Sequence, residues 1–162
     1  MDIKLAGFSR VKITEKGKLI GDSGWIKNRI VDYGLDEGIG QVLSAGAGSK
    51  LVGFAALGTG TAPASNATSL DGEIADASNS RNAVSKSVVT SATGAGVTVR
   101  YYGTFSSSAA FVSASHPISN IGLFNISNVT AGTILSGNTY ASSALNTNQD
   151  VQYTYEWRFA TS

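Results

Sequence analysis

The chain has 162 residues, enough for one domain that buries about 70% of its unfolded surface, and it has no cysteine, which excludes disulfide frameworks and thiolate metal sites. Charged residues make up 14% and hydrophobic residues 42%; that balance excludes intrinsic disorder, and no apolar stretch approaches the ~20 residues of a membrane-spanning helix. The net charge of +1 hides an asymmetry, because residues 1–29 hold seven bases and three acids while the remainder carries −3.

The opening Met1-Asp2-Ile3-Lys4 has no features of an export signal, so synthesis in a cytoplasm is expected. Ile3–Ile13 and Lys18–Ile26 flank Glu15-Lys16-Gly17 as a candidate hairpin. Its basic character fits nucleic acid or an acidic protein surface, and equally a lysine-rich, solvated hairpin that protects a sheet edge. Leu5, Phe8 and Val11 have no evident place in a core built from the later strands. Lys4, Leu5, Phe8, Arg10, Val11, Lys12, Lys16 and Lys18 are therefore the candidate contacts to neighbouring chains. Residues 1–27 are read as a basic arm or hairpin and residues 28–162 as the main domain.

Val31, Leu35, Ile39, Val42 and Leu43 form a helical apolar stripe, with Asp32 as its cap and Gly46 as its stop. Leu51–Leu57 predicts a buried strand, which runs into Gly58-Thr-Gly-Thr-Ala-Pro63. That loop has the look of a phosphate cradle without its parts. No lysine and hydroxyl follow the last glycine, and Pro63 stands where a dinucleotide fingerprint needs glycine. Thr68 and Asp71 have capping-box spacing, predicting a short helical turn over Ser69–Ala75. Asn82–Thr90 and Val97–Phe105 read as a hairpin turning at Thr93–Gly96, and further strands are expected at Ile118–Ile126 and Thr133–Ala141. In Val151–Phe159 the alternation is clearest: Val151, Tyr153, Tyr155, Trp157 and Phe159 share one face, and Gln152, Thr154, Glu156 and Arg158 the other. Together these elements predict an all-β sandwich with one short helix.

The residue types that carry catalysis are sparse. His116 is the single histidine, with no nucleophile elbow to accompany it, and it reads as a plain loop residue. Asp71 and Glu73 are the closest paired carboxylates apart from Asp36-Glu37, and a glycan-cleaving reading rests on them alone. Two apart on a helical turn, they are more ordinarily dipole-complementing surface residues. The acceptor-type tripeptides at Asn66, Asn125 and Asn128 are the chance yield of a chain rich in Asn, Ser and Thr. Tyr102 with Arg100 has the chemistry to stack on a base or a sugar, although such a strand pair ordinarily packs across to its neighbours. The expectation is a protein that is not an enzyme, with no catalytic residues, no cofactor, no metal and no ATP or NAD binding.

The order of segments resembles a group of small tailed-bacteriophage structural proteins. The shared elements are Asn28–Gly46, the Ala56-Leu-Gly-Thr-Gly-Thr-Ala-Pro-Ala64 loop, Thr68-Ser-Leu-Asp-Gly-Glu-Ile74 with Arg81, Ile121-Gly-Leu-Phe-Asn125 and the aromatic strand Tyr153–Phe159. The resemblance spans about residues 28–160, and residues 1–27 are less typical. It implies a jelly-roll-like antiparallel β-sandwich in a virion component. The expected role is a capsid decoration (cement) protein on the capsid exterior, made in the host bacterial cytoplasm. It would bridge subunits of the major capsid protein and associate with itself as a homotrimer, with neither nucleic acid nor membrane as partner. The rival role is a tail fibre or baseplate module that binds a host-surface glycan.

Overall fold

The computed structural model describes residues 3–32, 34–35, 51–78, 80–90, 96–129 and 131–161. Among them ten strands run in chain order: β1 Ile3–Glu15, β2 Lys18–Asp22, β3 Ile26–Ile30, β4 Phe54–Gly58, β5 Arg81–Ala83, β6 Ser85–Thr90, β7 Gly96–Phe105, β8 His116–Phe124, β9 Ile134–Leu145 and β10 Asp150–Thr161. Every pairing is antiparallel, in the order β5-β4-β8-β9-β3-β1-β10-β7-β6, with β2 on β1. The expected all-β antiparallel sandwich forms, and it is nearly closed into a barrel.

Two strand runs close it by changing sheets. β3 pairs β1 through Ile26–Asn28 and then β9 through Arg29 and Ile30. The stretch Asn82–Thr90, predicted as one hairpin arm, does the same at the opposite edge. Arg81–Ala83 pairs β4, and after Val84 only Ser85–Thr90 pairs β7. The result is a front sheet (β2, β1, β10, β7, β6) and a back sheet (β3, β9, β8, β4, β5) that share both corners.

The core lies between them. Val151, Tyr153, Tyr155 and Trp157 of β10 meet Leu57 of β4, Ile121 and Leu123 of β8 and Leu135 of β9. Burial raises the hydroxyl pKa of Tyr101 to about 12 and that of Tyr155 well above its ordinary value. Tyr155 nonetheless has a partner, donating to the Ile121 carbonyl at 2.7 Å.

Residues 1–27 do not stand apart as an arm. β1 pairs β10 from Ile3 to Thr14, all but its last residue, Val11 and Ile13 are core residues, and Leu5 packs against the core. The hairpin itself is as predicted. Glu15 pairs Lys18 across a two-residue turn in which Lys16 and Gly17 both have positive φ, 49° and 78°, the combination that matches strand twist.

The predicted helix over residues 31–43 lies mostly outside the described residues. The turn predicted over Ser69–Ala75 is not helical: Glu73 bridges Gly58, and Gly72 turns the chain at a φ of 63°. A 3₁₀ turn instead occupies Ser107–Ala109 in the serine-rich loop, where the sequence offers no periodic signal.

Candidate functional site

The two sheets differ in what covers them. On the back sheet a second apolar cluster, Val31, Ala56, Leu70, Phe124 and Ile134, lies on the outer side, beneath the loop that follows β4. The glycines of that loop serve close packing. A Cβ at Gly58 would strike Asn120 Oδ1, and one at Gly60 would strike the Asp71 carboxylate and carbonyl. Asp71 takes the Thr61 amide and hydroxyl, both at 2.9 Å, and these bonds lower its pKa. Asn120 donates to the carbonyls of Thr61 and Asp71 at 3.0 and 2.8 Å. Competition from these side-chain bonds is why capping-box spacing yields no helix here.

Glu73 is equally committed. Arg81 donates to its two oxygens at 2.7 and 3.0 Å, and to the carbonyls of Ile126 and Ala131 at 3.0 and 2.7 Å. The guanidinium also lies 3.8 Å from the centroid of the Phe124 ring. Both side chains are almost fully buried, at 1% and 6% exposure. The two carboxylates on which a glycosidase reading rests are thus engaged by Thr61 and Arg81 rather than flanking a cleft.

His116 is not a plain loop residue, as its neighbours in sequence suggested. It opens β8, and its Nε2 lies 2.8 Å from Asp76 Oδ2. The same oxygen accepts the Ser113 hydroxyl at 2.8 Å and amide at 3.1 Å. Partial burial works against ionisation of Asp76, but the bonds from His116 and Ser113 outweigh it and the carboxyl pKa falls. The order is wrong for nucleophilic catalysis. The acid sits between serine and histidine, so the histidine is not placed to take the serine proton. No group of three or more metal-ligating side chains occurs among the described residues.

The eight candidate interface residues do not form one patch. Val11 is buried, and Leu5 packs on the core. Phe8 lies under the Arg158 guanidinium at 4.2 Å. Arg10 forks onto Asp22, which with help from the Gly24 amide holds that carboxyl at a pKa of about 2. Lys12 is half-buried opposite Asp22, and Lys4 lies at the far end of β1. Lys16 and Lys18 remain at the hairpin tip, beside Leu19 and Ile20, which are 50% and 49% exposed. A register shift beyond Ile13 makes Ile20 the extra residue of a bulge. The tip is tied to the loop before β10, since Asn148 and Gln149 donate to the Glu15 carboxylate at 3.2 and 3.3 Å.

The outer face of the front sheet has no covering loop among the described residues. Its centre is Glu156, buried although it lies on the outward side of the aromatic strand. Arg100 donates to Oε1 through Nε and Nη2 at 3.0 and 2.7 Å, and Arg158 donates to Oε2 at 2.9 and 2.6 Å. Burial alone would raise the Glu156 pKa, but the two guanidiniums prevail and lower it. One register step along, Trp25, Ser87, Arg100, Tyr102 and Thr154 line a surface groove of about 380 Å³. Trp25 carries no motif in the sequence. Its only signal is its place beside Gly24, whose φ of 67° turns the chain between β2 and β3.

Compared with known proteins, the chain matches no family model, no curated protein and no solved structure.

Proposed function

We propose that this protein is a non-catalytic structural component of a tailed-phage particle. Its role is that of a cement protein on the capsid exterior, docking onto the major capsid protein through the β1–β2 hairpin end. The observation that carries the docking surface is the hairpin tip, where Leu19 and Ile20 stand exposed directly after the cations Lys16 and Lys18. Apolar area exposed on a tip braced by the Glu15 contacts suits a partner with a shallow apolar seat and an acidic rim. The commitment of Asp71, Glu73, Asp76 and His116 to internal bonds supports the non-catalytic side of the reading. A modest interface of about 800 Å² per partner adds up when hundreds of sites on one shell are filled.

Co-sedimentation with empty capsid shells tests this. Wild-type protein is expected to saturate the shells at a fixed copy number, and Leu19→Ser/Ile20→Ser to bind at least tenfold more weakly with unchanged far-UV circular dichroism. Equal binding by the double variant would refute the docking surface, and absence of binding by wild type would refute the capsid role.

A further inference from the structure

We infer that the front-sheet groove between Trp25 and Tyr102 is a saccharide-binding site, selective for a sugar that bears a carboxylate. It is separate from the hairpin tip and stands or falls independently of the docking proposed above.

The two aromatic residues are the first indication. Trp25 and Tyr102 are 45% and 41% exposed, whereas the other tryptophan, Trp157, is buried in the core. Aromatic rings ordinarily supply core area, and these two line one groove instead. Its volume of about 380 Å³ falls within the ~300–1,000 Å³ range of small-molecule sites. The C–H faces of a pyranose ring stack on such surfaces, and the hydroxyls of Ser87 and Thr154, on the same lining, suit its hydroxyl groups.

Charge narrows the class. Arg100 spends Nε and Nη2 on Glu156, and its Nη1 makes no hydrogen bond among the described residues. Its side chain is 41% exposed while that of Glu156 is 5% exposed, so the carboxylate orients the guanidinium from below. With Arg158 also on Glu156, the trio carries one net positive charge, which one ligand carboxylate would balance. Nucleic acid fits less well. A strand needs a row of uncommitted cations along its phosphates, and Arg10, Arg100 and Arg158 are each paired with an acid.

The test is titration of the full chain with 3′-sialyllactose, tri-galacturonate, neutral lactose and the octanucleotide (dT)8, read by tryptophan fluorescence, in which Trp25 is the exposed reporter. At least one acidic sugar is expected to shift the emission and to bind at least tenfold more tightly than lactose. Trp25→Ala, followed by isothermal titration calorimetry alongside wild type because the substitution removes the fluorescent reporter, is expected to abolish binding. Arg100→Gln, in which Arg158 still holds Glu156, is expected to reduce the acidic sugar to the affinity of lactose. Circular dichroism of both variants is expected to match wild type. No response to either acidic sugar, parity with lactose, survival of binding in Trp25→Ala, or tighter binding of (dT)8 would overturn the inference.

Discussion

Arg81 and Arg100 make the same kind of bond for opposite ends. On the back sheet, Arg81 and Glu73 are both buried, and the guanidinium also holds two carbonyls of the loop after β8. Its donors are spent inside the protein. On the front sheet, Glu156 is buried but its two arginines are not, and each keeps a nitrogen turned away from the carboxylate. The first arrangement ties loops over a sheet face. The second fixes cationic groups on a bare one. A buried pair is therefore a poor guide to function until the burial of each partner is known separately.

The sharpest way to break this contrast is Arg81→Ala. It strands a buried carboxylate and two carbonyls, and we expect a loss of about 3–5 kcal/mol in urea unfolding. Arg81→Met/Glu73→Leu, which removes both charges, should recover much of that loss. If Arg81→Ala unfolds no more readily than wild type, the pair is not the tie described here.

Next in size is Gly60→Ala, whose methyl group meets Asp71 and should cost about 1–3 kcal/mol by overpacking. Tyr102→Ala on the uncovered sheet should stay within about 0.5 kcal/mol of wild type. Equal losses for the two would mean that the front face is packed after all.

Glu156→Gln comes third. Because both arginine heads are more than a third exposed, solvent screens the pair and the loss in chemical denaturation should be only about 1 kcal/mol. The folded-state pKa of Glu156 is lowered, so its contribution is complete above the ordinary glutamate range and lost as pH falls through the folded value.

Smallest is the Arg10–Asp22 pair. Asp22 titrates near 2 in the folded state against 3.8 unperturbed, so the stabilisation it brings is present above about pH 4 and disappears towards pH 2. Solvent screens an exposed pair of this kind, so the contribution is small. Melting temperatures of wild type and Asp22→Asn should differ slightly at pH 7 and converge near pH 2; a gap that widens in acid would contradict this.

Much of the sandwich was legible because alternation is a local property. Val151, Tyr153, Tyr155 and Trp157 face inward as their spacing predicts, and so do Tyr101 and Phe105. The corners were not legible. Arg81–Thr90 is one extended run to any periodicity test, and only its partners show that it belongs to two sheets. The front-face groove was half visible, through Tyr102 and Arg100. Trp25 lies far from them in the chain, and it is the pairing of β3 with β1, of β1 with β10 and of β10 with β7 that brings it near. The candidate contacts on β1 do not share one face, because strand alternation sends Leu5 and Val11 inward and Phe8 and Arg10 outward.

The pairing of β1 with β10 also sets a timetable. The first strand finds its main partner in residues 150–161, so this ladder closes a loop of most of the chain and carries the entropy of doing so. Contacts this distant place folding in the slow, millisecond-to-second class of β topologies. On a ribosome, β1 would wait beside solvent, with Val11 and Ile13 uncovered, until the last aromatic strand emerged. Removing that strand would take away the middle of the front sheet, not its margin, and leave a nascent chain that chaperones and proteases would meet first.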